Sequence, residues 1–141
     1  MYVVDASVVV KWVIPGEPYA VSALKLKRDH LSGIAHLFAP SFMLHEVANS
    51  LWKAVRQGRI TQKDACEALE TLDNLNVSFH ELNWSDISKV LNIAIKTNLT
   101  VYDAAYLYVS EKMNAQVITA DDTMYQKGKE QFQVLHLKDY P

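Results

Sequence analysis

Short apolar runs of strand length alternate along this chain with longer stretches of helical period, and few architectures tolerate that alternation. Residues 2–4, 36–39, 77–79, 116–119 and 133–137 read as strands, being brief apolar or β-prone segments bounded by turn or cap residues. Helical segments separate them: residues 6–13, ended by Pro15-Gly16; Pro18 through Arg28; Pro40-Ser41 to Gly58; Thr61 to about Leu75; Asn83 to near Asn98; and Tyr102 to about Met113. Leu99-Thr100 reads as a very short extended piece, and Asp121 or Asp122 begins a last short helix. Strands joined through helices of ten or more residues need crossover connections, so the sequence predicts an α/β fold with a parallel sheet covered by helices on both faces.

The clearest helix follows Ser41. Leu44, Val47, Ala48, Leu51 and Val55 recur on one face at helical spacing. Glu46, Asn49, Ser50 and Lys53 then share the opposite stripe. Thr61 with Asp64, and Asn83 with Asp86, have the spacing of capping boxes.

At 141 residues the chain predicts one domain over 1–141, without linker, repeat or low-complexity tract. Cys66 is the sole cysteine, which excludes an internal disulfide and a cysteine-rich zinc site and suits a reducing cytoplasm. Asp5 and Lys11 interrupt the apolar N-terminal segment, so neither a signal peptide nor a membrane span is expected. The formal net charge is −2, so no global basic field draws in nucleic acid, and any such binding must use a local patch. Lys53, Arg56, Arg59 and Lys63 form one candidate for holding a phosphate backbone, although a solvated surface explains the same run.

The acidic residues fall in a pattern of their own. Asp5 ends the first strand, Asp121 stands two residues past the Gln116–Thr119 run, and Asp103 lies just after Leu99-Thr100. All three are therefore expected at strand-to-helix turns on one edge of the sheet, where ligands bind in open parallel sheets. Glu46, early in its helix, is expected to lean over the same edge. Carboxylates ~4 Å apart in a partly dry cleft repel by ~4 kcal/mol per pair at an effective dielectric of ~20, so such a cluster calls for protons or cations. Oxygen donors without a histidine or cysteine cluster match Mg²⁺ or Mn²⁺. Those ions activate water and offset charge building on a phosphodiester, so the pattern points to hydrolytic phosphoryl transfer.

At these residues the sequence resembles the PIN domains, and specifically the VapC-type toxin nucleases. Val3-Val4-Asp5-Ala6-Ser7 resembles the family's first motif, and His45-Glu46-Val47-Ala48-Asn49-Ser50-Leu51 its helical Glu-x-x-Asn-x-Leu segment. Thr100-Val101-Tyr102-Asp103-Ala104-Ala105-Tyr106 resembles the third motif and Ile118-Thr119-Ala120-Asp121 the fourth. Any one of these is a weak signal, but the ordered set is specific. The resemblance implies a PIN-like three-layer α/β/α fold with a central parallel sheet, and Mg²⁺- or Mn²⁺-dependent cleavage of RNA. It also implies homodimers, inhibition by a VapB-type antitoxin, and an acidic quartet of Asp5, Glu46, Asp103 and Asp121. Asp5, Asp103 and Asp121 would hold one or two divalent ions, with Glu46 completing or bridging the site. Ser7, Asn49 and Thr119 would be supporting polar groups. Asp122 directly follows Asp121 and either can turn inward, although the spacing after Thr119-Ala120 favours Asp121.

Each of these residues also has a plainer explanation. Asp5 and Asp121 are natural N-caps, Thr100-x-x-Asp103 has capping-box spacing, and Glu46 sits on a stripe that solvent alone would account for. Trp52, Trp84, Tyr102, Tyr106 and Tyr108 read as core or dimer surface rather than base-stacking platforms. Rival functions fit less well. A receiver domain wants an acidic pair after the first strand, and a haloacid-dehalogenase-like phosphatase wants Asp-x-Asp, whereas Asp5 is followed by Ala6-Ser7. No Gly-x-Ser-x-Gly elbow or dinucleotide-binding glycine motif occurs. The remaining alternative is a catalytically inactive PIN-like domain that binds protein.

Overall fold

The computed structural model describes residues 1–141. Strand β1 (Tyr2–Val4) leads into a single helical turn, α1 (Ala6–Val9), prolonged by a 3-10 turn at Val10–Trp12. Then come α2 (Ala20–Leu31), β2 (Leu37–Pro40), α3 (Met43–Arg56), α4 (Gln62–Asp73) and β3 (Ser78–His80). The chain continues through α5 (Trp84–Thr97), α6 (Val101–Met113), β4 (Gln116–Thr119), α7 (Asp122–Gly128) and β5 (Val134–His136).

All strand pairs are parallel, in the order β3-β2-β1-β4-β5. Right-handed crossovers put the helices that run toward β3 on one face and those running the opposite way on the other. The packing agrees: α3 lies on α1 and α4, while α6 lies on α5 and spans β1, β2 and β4. The fold is the expected three-layer α/β/α. Val3, Val4, Val117 and Ile118 are fully buried, as central strands covered on both faces must be. Every residue of α6 from Ala104 to Ser110 is buried, as a helix segment running through the middle of the core must be on all its faces.

The chain leaves β1 toward β2 on one side, and β4 sits on β1's other side before leading to β5. The strand order therefore reverses between β1 and β4, which opens a crevice beyond their carboxyl ends.

Four local expectations shift. Helix α2 begins at Ala20, after Tyr19 in a left-handed conformation (φ 61°), so Pro18 precedes the helix; the Tyr19 ring is held edge-on to His136 at 5.3 Å. Pro40 does not open α3 but ends β2, opposite His80. The buried stripe of α3 is Met43, Val47, Leu51 and Ala54, while Leu44 is 53% exposed, so the helix turns the edge carrying Met43 and Ala54 inward in place of the edge carrying Leu44 and Val55. Leu99-Thr100 is no strand. Asn98 (φ 57°) closes α5 in the left-handed region and Thr100 caps α6 directly, so Asp103 arrives from a helix turn and not from a strand end.

Candidate active site

Asp5 is fixed first by the backbone. Its N–H donates to the Ile118 carbonyl at 3.0 Å, continuing the β1–β4 ladder by one residue. Its side chain makes no capping bond to α1. Two hydroxyls converge on one carboxylate oxygen instead: Ser7 Oγ donates to Oδ2 at 2.6 Å and Thr119 Oγ1 at 2.7 Å. Both hydroxyls are in turn held by the chain leaving β4. The Ala120 N–H donates to Ser7 Oγ at 3.0 Å and the Asp121 N–H to Thr119 Oγ1 at 3.0 Å. Ser7 and Thr119 thus tie the Asp5 carboxylate to the end of β4. Burial pushes the Asp5 carboxyl above its ordinary range. The Ser7 and Thr119 bonds counter that shift, while the charge of Asp121 adds to it.

Asp103 occupies the first turn of α6, where its backbone N–H donates to the Thr100 hydroxyl at 3.2 Å. Burial drives its carboxyl up to about 6, with further pushes from Asp5, Asp121 and Glu46. One half-buried group therefore feels all three other members of the quartet. Glu46, in the first turn of α3, accepts a 2.6 Å bond at Oε1 from the Tyr106 hydroxyl. Burial raises its carboxyl as well, the Tyr106 bond opposes the rise, and Asp5 adds to it.

Asp121 is the N-cap of α7 and accepts the Met124 N–H at Oδ1, 2.9 Å away, while staying exposed at the rim. It serves the helix and the cluster together. Asp122 points elsewhere, meeting His136 Nε2 at 3.0 Å. The Lys138 N–H donates to His136 Nδ1, so Nε2 carries the proton and donates it to Asp122. Asn49 lies exposed on α3 and makes no bond to the acids.

The four acids are thus gathered at the reversal point of the sheet. Every ion pair of the chain lies elsewhere. Mutual repulsion with no internal cation is the condition that favours a bound dication. No three carboxylate, imidazole or thiol groups close around a single point as a ready-made cage. The donor set fits an ion that keeps part of its water and takes one or two carboxylates, which is the habit of Mg²⁺. Sequence reasoning missed Tyr106 and His136 as parts of this region. Tyr106 stands three residues after Asp103, on the same helical face, and that spacing was the available signal. His136 had none.

Residues 2–130 match the PIN domain family. The chain is 32% identical over 131 residues to exonuclease VapC9 of Pyrobaculum aerophilum, covering 91% of this chain and 86% of that protein. It is 29% identical over 126 residues to ribonuclease VapC3 of the same organism, covering 89% and 92%. Among solved structures, the Pyrobaculum aerophilum protein PAE2754 superposes with a TM-score of 0.70 at 27% identity, over 97% of this chain and 89% of that one. VapC20 of Mycobacterium tuberculosis, a toxin that cleaves the sarcin–ricin loop, shares the fold with a TM-score of 0.67 at 15% identity, over 94% and 96%. A chain with this sheet order, these acids at its reversal point and these relatives belongs to the PIN domain family.

Proposed function

We propose that this chain is a Mg²⁺- or Mn²⁺-dependent endoribonuclease and the toxin of a VapBC-type pair, with Asp5, Glu46, Asp103 and Asp121 as its catalytic and metal-holding residues. The observation that carries this reading is the uncompensated quartet, in which Asp103 is raised to about 6 by burial and by its three acidic neighbours. Relatives named as ribonuclease and exonuclease support the class of chemistry.

In this reading Asp5 is the rigid member, since two hydroxyls and the β1–β4 ladder leave its carboxylate little freedom. Asp103 and Asp121 face it across the cleft, and Glu46 closes the α3 side. A bound dication would supply Lewis acidity, lowering the pKa of water and offsetting charge on the scissile phosphate. The carboxylates orient that charge, and their negative field keeps the site closed to phosphate until a cation is present. Ser7 and Thr119 keep Asp5 in place, and Asn49, exposed beside Glu46, is free to contact RNA.

Residues 1–141 form one domain in this reading, a homodimer in the cytoplasm restrained by a VapB-type antitoxin. No helix is long and apolar enough to cross a membrane. An arginine from the antitoxin would suit the acid cleft, as charge-assisted pairing favours it.

The test uses circular RNA and linear RNA with free ends, incubated with Mn²⁺ or with EDTA. Cutting of both with Mn²⁺ and neither with EDTA is expected. Degradation of linear RNA alone would make the chain an exonuclease, and no cutting of either would favour the inactive, protein-binding alternative.

A further inference from the structure

Tyr106 is fully buried, yet its hydroxyl reaches the acid cleft. It donates to Glu46 Oε1 at 2.6 Å, across 60 residues of sequence and from α6 to α3. The ring has little room to move. Phe42, one residue before α3, meets it edge-on at 5.6 Å, and its helical neighbours Ala105 and Leu107 are buried. Glu46 is the contrary case: a half-buried carboxylate on a flexible side chain, with no other hydrogen bond to its carboxyl group.

We infer that Tyr106 is a positioning residue whose buried hydroxyl aims the Glu46 carboxylate into the cleft, using Oε1 and leaving Oε2 for a ligand. This rests on the nuclease reading above. A hydroxyl held on a rigid ring makes a better orienting device than a second flexible side chain, because its direction is set by packing before any ligand arrives. The bond has one direction, because the hydroxyl donates and the Glu46 carboxylate can only accept. The same helix supplies an internal comparison. Tyr108 donates its hydroxyl to Asp86, an acid that this bond and the Asn83 N–H pull down to about 2 and that also meets Lys112 at 3.4 Å. That tyrosine ties α6 to α5 with no role at the cleft.

The experiment compares wild type, Tyr106→Phe, Tyr108→Phe, Glu46→Gln and the Tyr106→Phe/Glu46→Gln double variant. Mn²⁺ affinity is read from the concentration dependence of the melting temperature, with RNA cleavage measured in parallel. Tyr106→Phe is expected to weaken Mn²⁺ binding roughly 10-fold, the usual cost of losing an outer partner of a metal ligand. It should lower kcat by a similar factor with the KM for RNA within about twofold. Glu46→Gln should weaken Mn²⁺ binding at least as much, and adding Tyr106→Phe to it should change nothing further, since coupled residues are non-additive. Tyr108→Phe should leave Mn²⁺ affinity unchanged. If wild type responds to Mn²⁺ and Tyr106→Phe matches it, or if the two substitutions simply add, the hydroxyl has only a structural role and the inference is overturned. A wild type that neither binds Mn²⁺ nor cuts RNA overturns the nuclease reading itself and this inference with it.

Discussion

Helices α4 and α6 both open on Thr-x-x-Asp, Thr61 to Asp64 in one and Thr100 to Asp103 in the other. In α4 the capping box closes. The Asp64 N–H donates to the Thr61 hydroxyl, the Asp64 carboxylate accepts the Thr61 N–H, and these bonds hold the carboxyl below its ordinary range. In α6 only the first half forms. The Asp103 carboxyl is driven up to about 6, first by burial and then by the charges of Asp5, Asp121 and Glu46. One sequence signal thus yields opposite electrostatics. In α6 the motif leaves its carboxylate out of the cap and among other acids, which is the environment that marks a candidate functional acid.

Removing each acid in turn separates the two helices most sharply. Asp103→Ala should lower RNA cleavage roughly 100-fold or more, beyond the ~10-fold cost of losing an outer partner, and raise the melting temperature in metal-free buffer by relieving repulsion. Asp64→Ala should leave cleavage unchanged and lower the melting temperature. Equal cleavage by the two variants would break the comparison.

Next in size is the response to protons and cations. The folded protein holds a proton on Asp103 up to about pH 6, whereas the unfolded chain loses it near its ordinary value of 3.8. The folded state therefore binds more protons between those limits, and this contribution to stability is lost as pH rises through them. Asp64 works in the reverse sense, its contribution being present at neutral pH and lost on acidification. At pH 7, Mn²⁺ at a hundredfold excess over its Kd should restore about 2.7 kcal/mol, roughly 10 °C of melting temperature. Asp64→Ala should keep that rise and Asp103→Ala should lose most of it. An equal rise in both would place the ion elsewhere.

The threonines are the half of the motif that both helices use alike. Thr61→Ala and Thr100→Ala each remove an N-cap and should cost about 1 kcal/mol, a shift of about 4 °C by thermal melting. Only Thr100→Ala should also slow cleavage, a few-fold, by loosening the turn that carries Asp103.

The comparison also explains what was legible in advance. Both closed capping boxes and the placement of Asp5 at the end of β1 depend on residues a few positions apart, and local chemistry fixes them. The ordered motifs brought the remaining acids into one set. The buried face of α3 was misjudged at Leu44 because its apolar residues fit two adjacent edges, and only packing against α1 and α4 selects one. The choice between Asp121 and Asp122 depends on His136, fully buried on a strand whose place in the sheet no local pattern gives. The Tyr106–Glu46 bond is invisible for the same reason, since it exists only once α6 has packed against α3.

The hydroxyl that Thr119 lends to Asp5 lies 114 residues further along the chain. During translation Asp5 is therefore made early with only Ser7 to hold it, and it lacks the second of its two hydroxyl partners while the ribosome adds most of the remaining fold. A nuclease assembled this way has no competent cleft beside the RNA-rich machine that is making it until β4 has emerged and paired with β1.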